Sequence, residues 1–277
     1  MSVHPNASTK LDFIILAAGR ATRFKNNLSD LPKQFQSIHQ KSLIAHCLAS
    51  FATWPDCGQI ILVLPPDIIT QGLPGALLEE LTPYGDRVIL AAGGSSREAS
   101  ALNGLRALQE CQHAHGQVST FVAIHDAARP NVKKSVLSAL KSALERGEQA
   151  VIPVLPVSDT IRQRTATDAS TSHVIDRDSL MRVQTPQAFK TNLILEAHLQ
   201  AAHRGVKEDI TDDAMIVEAF GAKIGTIAGH ECLTKITYAE DLATMRREMS
   251  VAMSMMETRT GSGFDVHKFA NEGQFVI

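Results

Sequence analysis

The sequence predicts an α/β protein. Short apolar, β-branched runs alternate with longer segments of helical period, a pattern typical of a Rossmann-like, mostly parallel sheet with helices on both faces. Hydrophobic residues make up 44% of the chain and charged residues 20%, as in ordinary globular domains. Between residues 159 and 182 two polar, strand-like runs interrupt this alternation, and they predict a protruding β-hairpin arm.

The first half of the chain contains five predicted strands, which are Asp12–Ala17, Gln59–Leu64, Arg87–Ala91, Thr120–His125 and Ala150–Val154. Two helices have recognisable start signals. Ser95 and Glu98 form a possible capping box before a helix at Ala99–Glu110, and Asn131 precedes a helix at Val132–Arg146. These helices are expected to cross over the sheet and connect its parallel strands.

The predicted arm consists of strands Thr160–Thr165 and Ser172–Asp176, separated by a turn-rich segment. A lone hairpin buries too little surface to be stable, so we expect the arm to pack on a second subunit and form a homodimer. Regular alternation then resumes. The elements predicted after the arm are helices Lys190–His203 and Thr211–Phe220, strands Lys223–Ile227 and Leu233–Ile236, and a helix from Tyr238 to about Met256.

Charge and cysteine content exclude several classes of protein. The net charge of −2 provides no global positive field for nucleic acid or an anionic membrane, so neither is an expected partner. The polar start and the lack of a long apolar run argue against secretion and membrane insertion. The four cysteines, Cys47, Cys57, Cys111 and Cys232, lack the spacing of a metal site or a disulfide framework. A reducing cytoplasm is the expected location.

The most informative stretch is IILAAGRATRFKNNLSDLPKQF, residues 14–35. A strand leads into Ala17, Ala18 and Gly19, and the cations Arg23 and Lys33 follow. Small residues let a phosphate approach backbone N–H groups, and the cations match its charge. The motif is neither a Walker loop nor GxGxxG, and on composition alone a strand-to-helix turn with a solvated basic loop fits equally well.

Two further motifs end predicted strands. GGSSREAS, residues 93–100, contains Gly94 and Ser100 and offers N–H groups and hydroxyls, although a simple helix cap would explain it too. HDAARP, residues 125–130, brings Asp126 to the same edge of the sheet, where its carboxylate could hold Mg²⁺. His125 is expected to have a packing or capping role.

The ordered series AAG, PKQ, GG, HDAARP, PVSDTI, VIDRDSL, TPQAF, ITDDA and TKIT resembles 2-C-methyl-D-erythritol 4-phosphate cytidylyltransferases over residues 11–250. The resemblance implies transfer of CMP from CTP to methylerythritol phosphate in non-mevalonate isoprenoid biosynthesis, with Mg²⁺ or another divalent cation. It also implies a dimer formed through the arm.

Residue roles carry over from the resemblance. Arg23 and Lys33 match the cations that stabilise the transition state at the α-phosphate. Arg177 and Lys235 match the pair that positions the acceptor. The positions matching nucleotide-binding residues are Ala17, Ala18, Gly19, Gly94, Ser100 and Asp126, the last also near the metal. The positions matching substrate-side motifs are Arg129, Asp159, Thr160, Thr185 and Thr211. Three departures from the family pattern are a lengthened Arg23–Lys33 loop, Ala21 in place of glycine and Ser95 in place of an acidic residue.

The tail GSGFDVHKF, residues 261–269, resembles the opening of 2-C-methyl-D-erythritol 2,4-cyclodiphosphate synthases, whose metal is usually Zn²⁺. In an extended strand Asp265 and His267 would point the same way and could share an ion. We therefore predict a cytidylyltransferase domain at 1–258 and the incomplete start of a lyase domain at 259–277, as in a bifunctional fusion. Taken alone, the tail would hold no working metal site.

Two other functions remain open from the sequence. A sugar-1-phosphate nucleotidyltransferase would share the first loop, although it would not be expected to combine TKIT with IDRDS. A non-catalytic nucleotide-binding module that only dimerises would have no need to keep Arg23, Lys33, Asp126, Arg177 and Lys235 together.

Overall fold

The computed structural model describes residues 10–19, 32–116, 119–165, 171–204 and 210–254. The predicted site residues Arg23, Asp265 and His267 lie outside these ranges. The strands are β1 (Leu11–Leu16), β2 (Ser37–Ile38), β3 (Lys41–Ser42), β4 (Cys57–Leu64), β5 (Val88–Ala92), β6 (Phe121–Asp126), β7 (Ala150–Pro156), β8 (Ile161–Arg164), β9 (Ser172–Ile175), β10 (Met181–Val183), β11 (Gln187–Lys190) and β12 (Gly225–Ala228). The α-helices are α1 (Leu43–Ala52), α2 (Pro66–Gln71), α3 (Gly75–Leu81), α4 (Arg97–His115), α5 (Lys134–Glu145), α6 (Thr191–Arg204), α7 (Asp213–Ala219) and α8 (Ala239–Ser254).

The main sheet has the strand order β10-β7-β11-β6-β1-β4-β5, and β12 pairs with β7. β1, β4, β5 and β6 are parallel to one another, as predicted. β11 runs antiparallel between β6 and β7 and is a strand that the sequence analysis did not predict. The prediction of a mostly parallel sheet is confirmed, with antiparallel β10 and β11 as additions.

Helices cover both faces of this sheet. Phe13 on β1 packs in a core with residues of α1, α3 and α5, whereas its neighbour Ile14 packs in a second core with residues of α4, α6 and α7. This division follows from the strand period of two, which sends successive side chains to opposite faces. The buried apolar runs of β1 and β4 therefore serve two cores at once.

The connections create a crevice at the centre of the sheet. From β1 the chain passes through α1 to β4 and then to β5 on one side, and α4 returns it to β6 on the other side of β1. The loops after β1 and β6 therefore leave in opposite directions. In open α/β sheets, ligands bind outside the carboxyl ends of the strands at such a point.

Several predicted local signals are wrong. Ser96, not Ser95, caps α4, because its side chain accepts the Ala99 N–H at 3.1 Å. α5 begins after Lys133 without a side-chain cap, so Asn131 is not its cap residue.

The predicted strand Leu233–Ile236 is also wrong. A short 3₁₀ turn covers Glu231–Leu233, and the Ile236 N–H then donates to Ala128 O at 2.8 Å. The apolar side chains that suggested a strand are buried in two different cores, Leu233 in the first and Ile236 in a third core beneath α8.

The two strands predicted for the arm are observed as an antiparallel pair, β8 with β9, that forms a two-stranded sheet of its own. None of the helices in the described ranges is long and apolar enough to cross a bilayer.

Gly104 on α4 is expected to be intolerant of any side chain, because a Cβ there would lie 2.5 Å from Ile14 Cγ2 and 3.0 Å from Val63 Cγ2. Gly104→Ala should lower the free energy of unfolding by about 1–3 kcal/mol through overpacking. Gly75→Ala is the matched control, since its Cβ would meet open space. The control should change stability by less than about 1 kcal/mol. Urea denaturation measures both, and equal effects would contradict the prediction.

Candidate functional site

The loop after β1 forms the floor of the crevice. Gln34, which is buried, donates its side-chain N–H groups to Ala17 O at 2.8 Å and Gly19 O at 3.1 Å. The glutamine therefore shapes the stretch that the sequence analysis assigned to the nucleotide. Ala17 is buried, Ala18 is half-buried and Gly19 is exposed, so the open side of the loop is its glycine end.

The connection between β5 and α4 forms the adjacent wall. Ser100 accepts the Gly94 N–H at 3.0 Å and donates its hydroxyl to Ser96 O at 2.8 Å. A Cβ on Gly93 would overlap Ala18, and one on Gly94 would lie 2.5 Å from the Ala99 Cβ. Glycine is needed at position 93 because the two predicted nucleotide loops approach each other closely, and at position 94 because the turn packs tightly against the start of α4.

Asp126, the last residue of β6, is the electrostatic centre of the site. Its Oδ1 lies 3.2 Å from Arg97 Nε, and its Oδ2 lies 2.7 Å from Lys235 Nζ. Burial by itself opposes ionisation of Asp126, but Arg97 and Lys235 outweigh it and hold the pKa of this carboxyl well below its usual range. Asp126 is therefore an anion that two cations from distant parts of the chain compensate.

A neutral histidine is linked through Thr185 to the backbone of Asp126. The buried His125 ring has Nε2 3.0 Å from Arg129 O and Nδ1 3.0 Å from Thr185 Oγ1. A carbonyl can only accept, so Nε2 carries the proton, Nδ1 accepts from the Thr185 hydroxyl, and that hydroxyl accepts the Asp126 N–H at 3.2 Å. Burial lowers the pKa of His125 to about 4. The predicted packing role of His125 is confirmed, and Thr185 is brought into the site.

The side chain of the predicted cation Lys33 reaches the backbone next to the predicted cation Lys235. Lys33 Nζ donates to Ile236 O at 2.9 Å, one residue beyond Lys235. Arg129 donates from Nη1 to Leu233 O at 2.6 Å, which ties the same segment to the loop after β6. The segment before α8 therefore lines the crevice as a tethered loop.

Two important residues were not predicted. Arg97, the first residue of α4, has its Nη2 2.8 Å from Asp213 Oδ2, besides its contact with Asp126. Asp213, the first residue of α7, is fully buried, and its Oδ1 lies 3.2 Å from His198 Nε2. The cation inside the GGSSREAS motif was the one signal that pointed to Arg97; nothing local in the sequence distinguishes Asp213 from Asp212.

The other predicted substrate-side residues do not join this cluster. Arg177 is exposed at the base of the arm and donates to Ser158 O at 2.8 Å. Asp159 and Thr160 are exposed beside it, and Thr211 is exposed and donates to Met215 Sδ at 3.1 Å. Within the described chain, none of these four residues forms a hydrogen bond or ion pair with Asp126 or Lys235.

The residues present suit one kind of metal site. Among the residues that the structure describes, no three His, Cys, Asp or Glu side chains come together as a ready-made cage. Mg²⁺ is commonly held by one or two carboxylates together with substrate phosphates. Asp126 fits such an ion, one that binds together with a nucleotide.

Comparisons with known proteins agree with this geometry. The family model described as IspD, 2-C-methyl-D-erythritol 4-phosphate cytidylyltransferase, matches residues 11–250. A bifunctional enzyme IspD/IspF of Rhizobium rhizogenes is 35% identical over 266 residues, which are 96% of this chain and 62% of that protein. The corresponding protein of Bartonella bacilliformis is 37% identical over 267 residues, again 62% of its length. The chain therefore spans less than two thirds of the length of these relatives.

Solved structures show the same fold. The 2-C-methyl-D-erythritol 4-phosphate cytidylyltransferase of Thermus thermophilus is 29% identical with a TM-score of 0.66, covering 86% of this chain and 98% of that one. The bifunctional IspDF of Campylobacter jejuni is 26% identical with a TM-score of 0.65, covering 85% of this chain and 54% of that one.

Buried His125 should make stability depend on pH. Its pKa is about 4 in the folded chain, whereas that of an unfolded histidine is about 6.5. The unfolded state therefore takes up the proton first. The stability contribution is full above about pH 6.5 and is lost as the pH falls toward 4, by at most about 1.4 kcal/mol per pH unit.

His125→Gln should remove this component, so that the free energy of unfolding of wild type falls more steeply between pH 7 and 5 than that of the variant. His113→Gln, which changes an exposed histidine on α4, is the control and should keep the wild-type slope. Parallel slopes for wild type and His125→Gln in urea titrations would show that His125 does not titrate in this way.

Proposed function

Because the chain belongs to the 2-C-methyl-D-erythritol 4-phosphate cytidylyltransferase family, we propose that it transfers CMP from CTP to 2-C-methyl-D-erythritol 4-phosphate. The products are 4-diphosphocytidyl-2-C-methyl-D-erythritol and pyrophosphate. The observation that carries this proposal is the meeting of Asp126 with Lys235, and of Lys33 with the backbone next to Lys235, at the carboxyl ends of β1 and β6.

The reaction joins two anions. A phosphate oxygen of the acceptor attacks the α-phosphorus of CTP in line, a new P–O bond forms, and the bond to the β-phosphate oxygen breaks as pyrophosphate leaves. The attacking oxygen is already anionic, so no covalent protein nucleophile and no strong base are needed. Catalysis then depends on alignment and on positive charge placed where negative charge develops.

The two loops suit the nucleotide half of this reaction. The exposed Gly19 and the tight Gly94 turn leave backbone close to the crevice, where a base and a ribose could rest without side-chain interference. We therefore assign Ala17, Ala18, Gly19, Gly94 and Ser100 to the nucleotide. Ser100 is buried, so its part is to hold the Gly94 backbone.

Lys33 and Lys235 suit the phosphates. The Lys33 ammonium is held by Ile236 O and the Lys235 ammonium by Asp126. The Lys235 side chain is 38% exposed, so it can turn from Asp126 toward an incoming anion. Arg23 would complete the set at the α-phosphate. Mg²⁺ held by Asp126 and the phosphates would screen the charge on the triphosphate.

We propose that the active form is a homodimer built through the arm. Val174 on β9 and Met181 on β10 are 56% and 57% exposed, an unusual amount of apolar surface for a thin hairpin and its base. Arg177, Asp159 and Thr160 lie at the same end of the arm. A partner's arm could deliver these residues to the crevice that they do not reach within one chain.

The complete protein is proposed to be bifunctional, since the relatives named above are bifunctional IspD/IspF enzymes. Asp265 and His267 would then contribute to the Zn²⁺ or similar metal of the cyclodiphosphate synthase. The boundary near residue 258 stays a prediction. Composition favours a cytoplasmic enzyme that binds neither nucleic acid nor membrane.

The test is pyrophosphate release from CTP with Mg²⁺, assayed with methylerythritol phosphate and with a hexose 1-phosphate. Release that needs methylerythritol phosphate is the expected result. Equal release with the hexose 1-phosphate would favour the sugar nucleotidyltransferase alternative, and no release with either acceptor would favour a non-catalytic module.

Lys33→Ala should lower turnover by about 10²–10³-fold, the loss typical of one preorganised charged or hydrogen-bonding group at a transition state. The variant should remain folded by circular dichroism, because Lys33 is only half-buried. Lys41→Ala, at an exposed lysine on β3, is the matched control and should keep wild-type turnover. A Lys33→Ala enzyme with unchanged turnover would remove Lys33 from the site.

The double variant Val174→Lys/Met181→Lys should dissociate the proposed dimer, because an interface does not bury unpaired charges. Sedimentation velocity should show a shift to monomer, accompanied by loss of turnover if the arm completes the partner's site. Leu78→Lys, at a side chain 55% exposed on α3, is the control and should leave the dimer intact. An unchanged sedimentation coefficient in the double variant would place the interface elsewhere.

A further inference from the structure

We propose that Asp213 is a positioning residue that acts on Asp126 through Arg97. The inference rests on the proposed function, in which Asp126 and Lys235 face the reacting phosphates. Asp213 has no exposed surface and cannot itself touch a substrate in the crevice. Its Oδ2 lies 2.8 Å from Arg97 Nη2, and Arg97 Nε lies 3.2 Å from Asp126 Oδ1.

Apart from Arg97, Asp213 is held in place from two directions. Gln187 Oε1 accepts the N–H groups of Asp213 and Ala214, each at 3.1 Å, and so joins the start of α7 to β11. His198 on α6 lies 3.2 Å from Asp213 Oδ1. Because these contacts fix the position of Asp213, its carboxylate can in turn fix the Arg97 guanidinium that it faces.

Arg97 bridges the two carboxylates with different nitrogens. Nε donates to Asp126, whereas Nη2 contacts Asp213 Oδ2 as an ion pair without hydrogen-bond geometry, and Nη1 has no hydrogen-bond partner in the part of the chain that the structure describes. The positive charge of Arg97 is therefore divided between two anions. A planar guanidinium can also pair with a single carboxylate through two parallel N–H groups.

Because Arg97 is shared between two carboxylates, it contacts only one of the two Asp126 oxygens. With Asp213 in place, Arg97 occupies Oδ1 of Asp126 and leaves Oδ2 to Lys235 at 2.7 Å. Without the Asp213 charge, Arg97 would be free to take both oxygens of Asp126 and displace Lys235. Asp213 thus keeps Asp126 oriented toward the reacting groups without contacting them.

Asp213→Asn in the full chain is the primary test, because it keeps the side-chain shape and removes the charge. We expect kcat to fall by about 10–100-fold, the usual effect of losing an outer partner of a site ligand. KM for CTP should change by less than about 3-fold, since the loops that hold the nucleotide are untouched.

Asp12→Asn is the matched control. Asp12 is also a buried carboxylate, but it lies at the opposite end of β1, accepts N–H groups from Gln59 at 2.8 Å and Gln112 at 3.1 Å, and makes no ion pair among the described residues. It should lose stability while keeping kcat. An equal fall in kcat for both variants would show a general effect of disturbing the core and would overturn the proposal.

A double-mutant cycle shows whether Asp213 acts through Arg97. If it does, adding Asp213→Asn to an Arg97→Gln enzyme should change kcat by less than about 2-fold. Independent, multiplying losses would overturn the proposal. Should Asp213→Asn alone fail to fold, comparison of Arg97→Gln with Arg97→Gln/Asp213→Asn decides the question, because that pair lacks the unpaired buried cation.

The wild-type assay separates the two proposals. Acceptor-dependent turnover in wild type together with normal kcat in Asp213→Asn would overturn the positioning role and leave the proposed function standing. A wild-type chain without turnover would overturn both.

Discussion

A buried carboxylate at the end of β6 must have positive charge close to it, and much of the site follows from that requirement. Asp126 lies at the point where the loops after β1 and β6 leave in opposite directions. One of its oxygens faces Arg97 from α4, and the other faces Lys235 from the segment before α8. An uncompensated charge at this depth would cost several kcal/mol. Three distant parts of the chain are therefore brought to one point.

The same requirement applies to Asp213, and it links the helices of one face. Asp213 begins α7, His198 lies on α6 and Arg97 begins α4, so one ion pair and one hydrogen bond connect all three helices beside their shared apolar core. Buried ion pairs are seldom the most stable filling for such a space, since well-packed apolar residues of similar volume often do as well. Their presence directly beneath the crevice is better explained by the positioning of Asp126 than by stability.

How much the sequence predicts depends on how local each signal is. β1, β4, β5, β6 and β7 were predictable because buried parallel strands are continuous apolar runs, and strand ends pointed to Asp126. β10 and β11 were missed because a short connection around Pro186 separates two short runs, and no local pattern indicates that β11 is inserted between β6 and β7. The Arg97–Asp213 pair was missed because it depends on the packing of α4 against α6 and α7. No spacing rule in a single sequence describes that contact.

The near-zero net charge is consistent with a site for two highly charged substrates, because the positive charge is local. A pocket containing only Lys33, Lys235 and Arg97 would be strained by mutual repulsion before any substrate arrived, and its lysines would tend to turn outward. Asp126 and Asp213 act as built-in counterions that hold Arg97 and Lys235 in place. In the proposed reaction, an incoming triphosphate would take over as a partner of Lys235 and exchange one ion pair for another, so little reorganisation would be needed when negative charge develops at the α-phosphate. The carboxylates in an anion-binding site are thus part of what preserves its positive charge.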